Sequence, residues 1–158
     1  MILQGTPMTH YYTVVSPPAR AAAGLIATVL PCLAAPSALA GELSVEVLGI
    51  APNHGEVYIA VYDQPEAFPV SGRQRVSQVL ASGDTHLTVH FSSLPPGKYA
   101  AVAFQDFNGN GKLDKNFLGI PKEPYGFSNG ARGSTGPPTF AQAAFTLDSN
   151  AATTITLK

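Results

Sequence analysis

Val57-Tyr58-Ile59-Ala60-Val61-Tyr62 sets a β-branched residue at every second position, with tyrosine, alanine and tyrosine between them. A period of two sends alternate side chains to opposite faces of an extended chain, so the stretch reads as a strand and not as a helix. The same period recurs on both sides of it. Leu43, Val45 and Val47 alternate with Ser44 and Glu46, and Leu87, Val89 and Phe91 alternate with Thr88 and His90. Turn residues punctuate these runs at Pro52-Asn53-His54-Gly55, Ser82-Gly83-Asp84 and Leu94-Pro95-Pro96-Gly97. The first two runs, about 42–50 and 55–63, are expected to pair as a hairpin. Residues 64–75 read as loop with Phe68 as a plug against the core, 76–80 as a short edge strand, and 98–105 as a buried strand. One helical turn fits 140–144, and the last strands fit 144–147 and 153–157. Six to seven short strands with no longer amphipathic helix predict an all-β fold, an antiparallel β-sandwich of transthyretin-like or immunoglobulin-like type.

Residues 1–40 do not share this pattern. Arg20 is their one charged residue, the stretch 21–33 is almost wholly apolar, and Ala38-Leu39-Ala40 supplies small residues where a signal peptidase reads. The expectation is a signal peptide and leader cleaved near Ala40-Gly41, which delivers the mature chain to the periplasm or the extracellular space. The apolar stretch is shorter than the roughly 20 residues of a membrane span, and Pro31 and Pro36 interrupt it, so no transmembrane span is expected in the mature chain. Residues 41–158 suit a single β-sandwich domain. Cys32 is the one cysteine and leaves with the leader, so no disulfide is expected. Loss of Arg20 takes the formal net charge from −1 to −2. No basic patch suggests nucleic acid.

One segment breaks the strand pattern. From about 108 to 138 the chain is rich in Gly and Pro, yet it carries Phe117, Leu118, Ile120, Tyr125 and Phe127. Loops this long in compact domains tend to be functional or disordered, and the apolar residues favour an ordered, Ω-like cap lying over one end or face of the sandwich. Its first part has the layout of a calcium loop. Asp106, Asn108 and Asn110 stand at the first, third and fifth positions, Gly111 at the sixth, the Lys112 carbonyl at the seventh and Asp114 at the ninth. The twelfth position holds Phe117 where an EF-hand has Glu. Glu123 or Asn116 is left to complete the ligand set. Two readings stand: a modest Ca2+ site, or a metal-free turn in which Asp and Asn accept backbone hydrogen bonds.

The blocks Leu94-Pro95-Pro96-Gly97-Lys98-Tyr99, Ala103 to Asp114, Leu118 to Asn129 and Gly136-Pro137-Pro138-Thr139-Phe140 resemble a family of exported bacterial proteins catalogued as domain of unknown function 2141. The resemblance covers about 42–157. It implies an exported sandwich and no established activity. The Leu94–Tyr99 turn is similar to that of transthyretin-like and carboxypeptidase regulatory-like domains. Transthyretin-like hydrolases use His and Arg with a C-terminal Tyr-Arg-Gly-Ser, whereas this chain ends Thr154-Ile155-Thr156-Leu157-Lys158.

Other chemistry is sparse. His86 and His90 share a strand face but lie roughly 13 Å apart along it, too far for one zinc. No Gly-x-Ser-x-Gly elbow is present. No catalytic residue is assigned. Tyr125, Phe127 and Phe140 could line a ligand surface or pin the loop to its own core. The leading expectation is therefore a non-catalytic binding or structural module of the cell envelope, calcium-stabilised through Asp106, Asn108, Asn110, Lys112, Asp114 and Glu123. Its expected partner is an envelope protein or a glycan. The alternative is a metal-assisted hydrolase using Asp106, Asp114 and Glu123.

Overall fold

The computed structural model describes residues 40–158; the expected leader lies outside the described residues. Among them are eight strands, one turn of α-helix and a 3-10 turn at Ser128–Gly130: β1 (Gly41–Leu48), β2 (Glu56–Tyr62), β3 (Val76–Ala81), β4 (His86–Leu94), β5 (Gly97–Asp106), β6 (Tyr125–Phe127), α1 (Phe140–Ala143), β7 (Phe145–Leu147) and β8 (Asn150–Thr156). They form a sandwich of two sheets. A three-stranded sheet runs β4-β1-β8, and a five-stranded sheet runs β3-β2-β5-β6 with β7 also paired to β5. Every pairing is antiparallel except that of β1 with β8, which is parallel with Glu42 opposite Asn150 and Leu48 opposite Thr156.

The expected hairpin of β1 with β2 does not form. The two strands belong to different sheets, and β1 pairs with β4 and β8 instead. The alternation explains why both arrangements fit the sequence. Leu43, Val45 and Val47 meet Val57, Ile59 and Val61 in one core between the sheets, and all six are fully buried. The chain crosses from sheet to sheet through residues 49–55. Gly49 enables this with a φ of +78°, in the left-handed region that glycine tolerates.

β5 reads as a continuous apolar run because it is buried on both faces. Tyr99, Ala101 and Ala103 face the core between the sheets, while Ala100 belongs to a second core with Tyr62, Ala67, Phe68, Phe127, Phe140 and Ala143. Phe68 is the expected plug, but it closes this second core. It meets Tyr62, Phe127 and Phe140 edge-on at centroid distances of 5.4, 5.8 and 6.0 Å. Thr139 starts α1 with a reciprocal capping box to Gln142, which holds Phe140 over the same face.

The long segment is therefore two structures and not one cap. β6, which was not expected, divides it by pairing with β5 from Val102 to Phe104. The part after β6 covers the outer face of the five-stranded sheet. The part before it, residues 107–124, is the connection of the β5–β6 hairpin. Phe117, Leu118 and Ile120 do not pin it down: they are 95%, 68% and 55% exposed.

Candidate functional site

The β5–β6 connection is organised by one carboxylate. Asp106 ends β5 with no solvent exposure. Its Oδ1 accepts hydrogen bonds from the backbone N–H groups of Asn108 (3.2 Å), Gly109 (2.8 Å) and Asn110 (3.4 Å), and its Oδ2 accepts from that of Gly111 (2.6 Å). Gly109 and Gly111 have φ of +73° and +74°, which lets successive N–H groups converge on one acceptor. Burial by itself pushes the Asp106 pKa up. The four N–H groups outweigh it and hold the carboxyl below its ordinary value.

The amides continue the turn. Asn108 Oδ1 accepts from the N–H of Asn110 at 3.1 Å, and Asn110 Oδ1 accepts from that of Lys112 at 2.9 Å. Their Nδ2 groups donate to Asp114, Asn108 to Oδ2 at 2.7 Å and Asn110 to Oδ1 at 3.0 Å. Glu123 closes the loop from the returning chain. It is buried, and its two oxygens accept from the N–H groups of Phe107 and Asp114, both at 2.9 Å.

Asp106, Asn108, Asn110 and Asp114 are thus joined by direct hydrogen bonds. Glu123 reaches them through the backbone of Asp114, and Lys112 enters through its backbone N–H. Among the described residues no three His, Cys, Asp or Glu side chains gather closely enough to hold a metal ion by themselves. Any cation here would rely on the Asn108 and Asn110 amide oxygens and on backbone carbonyls beside the two aspartates.

The three aromatic residues do not form one open surface. Phe127 and Phe140 are buried in the second core. Tyr125 is half-buried, stands edge-on to Phe127 at 5.9 Å, and together with Phe127 lines a cleft of about 310 Å³ that also includes Arg132 and Lys158. Two buried polar residues were not singled out by the sequence. Gln105 accepts from the Ala51 N–H at 2.9 Å and donates to the Ala51 and His54 carbonyls. Ser128 accepts from the Ala101 N–H at 2.9 Å and donates to the Ala143 carbonyl at 2.6 Å. Both secure loops to β5. Their only advance signal was a polar residue inside or next to an apolar run.

Among the described residues no helix is long and apolar enough to cross a membrane. No curated protein and no solved structure matches the chain. A family model described as an uncharacterized protein conserved in bacteria matches residues 45–156, from β1 to the end of β8. The chain belongs to this family, DUF2141.

Proposed function

We propose that the protein is an exported, non-catalytic binding or structural module of the cell envelope, in which the Asp106–Glu123 connection is a structural clasp that calcium stabilises. The observation that carries this reading is the use made of the carboxylates. Asp106 and Glu123 both accept backbone N–H groups from the loop they hold. A hydrolase would need one of them poised to exchange a proton with substrate or water. Here their oxygens fix the path of the chain.

Calcium is compatible with that arrangement because an ionised carboxylate oxygen has more than one lone pair. A cation at Asp114 would displace the Asn108 and Asn110 Nδ2 groups from its oxygens, while the Asn oxygens, each accepting one backbone N–H, keep a lone pair to offer. With two aspartates in the set, affinity belongs in the range of about 10⁻⁴–10⁻³ M known for extracellular modules. Millimolar calcium is expected to raise the melting temperature by about 2–5 °C over chelator. Asp114→Asn is expected to remove that response. Equal melting temperatures in calcium and chelator would sink the calcium part and leave the clasp.

Export is supported by the position of the leader. Ala38-Leu39-Ala40 ends where β1 begins at Gly41, so cleavage there would cost the sandwich no strand. N-terminal sequencing of the protein from its producing cell tests this. A mature form that still carries residues before Ala38 would overturn it.

A further inference from the structure

We infer that the tip of the β5–β6 connection, Lys115 to Lys122, docks on an anionic lipid surface. The first observation is apolar exposure concentrated at one point. Phe117, Leu118 and Ile120 are the most exposed large hydrophobic residues among those described. Exposed apolar residues scattered singly are ordinary, but a contiguous group on a projecting loop marks a contact site.

The second observation is that the tip is built and not merely loose. The Asn116 side-chain oxygen accepts from the N–H groups of Leu118 (2.9 Å) and Ile120 (3.0 Å). The Asn116 N–H donates to the Ile120 carbonyl at 2.8 Å, the Gly119 N–H donates to the Asn116 carbonyl at 2.9 Å, and Lys115 bridges to Pro121. Below it, the Lys122 N–H donates to the Asp114 carbonyl at 2.8 Å. These bonds present Phe117 and Leu118 outward. They also satisfy N–H groups that would be costly to carry into an apolar phase bare.

The third observation is charge. Lys112, Lys115 and Lys122 are exposed around the tip. Asp114 and Glu123 keep their charge at the base of the loop, but Glu123 is buried and no acid lies between Lys115 and Lys122. The tip thus offers water an apolar point with a cationic collar. A headgroup region accepts any convex apolar point, and anionic lipids complement the lysines, whose stems can lie along the acyl boundary. A protein groove would have to match the tip's shape. This inference does not require calcium at the clasp.

The chain contains no tryptophan, so Phe117→Trp places a single, selectively excited tryptophan at the tip and Val70→Trp places one at the opposite end of the five-stranded sheet. The protein is used as its producing cell processes it, in chelator and low salt, with vesicles of equimolar phosphatidylcholine and phosphatidylglycerol. The expected result is a shift of Phe117→Trp emission to shorter wavelength, little shift with phosphatidylcholine alone, and none for Val70→Trp. Adding Lys115→Glu and Lys122→Glu is expected to weaken partitioning by more than about tenfold. The inference fails if anionic vesicles leave the emission unmoved, if Val70→Trp responds equally, or if charge reversal has no effect. It also fails if the tip emission shifts with protein concentration in the absence of lipid, which would make the tip a contact between copies.

Discussion

Asp106 joins a strand to a loop through one side chain that water does not reach. Its pKa direction fixes the sign of a pH effect. Burial pushes the value up, but the N–H groups of Gly111, Gly109, Asn110 and Asn108 bring it below the ordinary carboxylate value. A folded-state pKa below the unfolded one, about 3.9, adds stability at higher pH that is lost as pH falls through the folded value. The acid limb of a stability–pH curve, measured by urea unfolding in chelator, should therefore carry an Asp106 contribution. Asp106→Asn is expected to lower stability at neutral pH by about 1–3 kcal/mol, because an amide NH₂ then faces N–H donors. The variant should also show a shallower loss below about pH 4. An unchanged acid limb in Asp106→Asn would show that other carboxylates govern it.

At the scale of elements, apolar residues of two loops at opposite ends of the five-stranded sheet have opposite roles. Phe68 sits where three aromatic rings meet, so Phe68→Ala is expected to cost about 3–5 kcal/mol, read as a lower denaturant midpoint. Phe117→Ser, at an exposed tip, is expected to stay within about 0.5 kcal/mol of wild type in the same measurement. The sequence reading set Phe68 against a core, where it lies, and counted Phe117 among the residues that would order the cap, whereas it faces water. Parity revealed β2 and β4, and the unbroken run from Tyr99 to Phe104 revealed a strand buried on both sides. Partner choice was hidden, because Leu43, Val45 and Val47 would suit a neighbour in the same sheet or one facing them. β6 was hidden too, being three residues with glycine at the centre. A Cβ on Gly126 would lie 2.5 Å from the Thr156 carbonyl oxygen and 2.8 Å from Ile155 Cγ2, so the glycine there reflects close packing against β8 and not a loop. In the clasp, the spacing from Asp106 to Asp114 was legible as an oxygen-rich turn. The role of Glu123 was not, since it depends on where the chain returns.

At the scale of the whole molecule, β1 is the central strand of its sheet, with β4 on one side and β8 on the other. β8 also supplies the fully buried Ile155, and the chain continues to buried Leu157. A chain ended after Ser149 loses one whole neighbour of β1 and opens the core between the sheets. It is expected to show no cooperative thermal transition, monitored by circular dichroism. A sharp melt would mean that the remaining strands suffice.

The parallel pairing of β1 with β8 also bears on timing. Synthesis delivers about 5–20 residues per second, so β1 waits on the order of ten seconds for the partner that completes its sheet. Throughout that interval one side of β1 presents free N–H and C=O groups, open to any other strand it meets. The three-stranded sheet can therefore be finished only after β8 has emerged, and until then the first strand of the sandwich lacks one of its two neighbours.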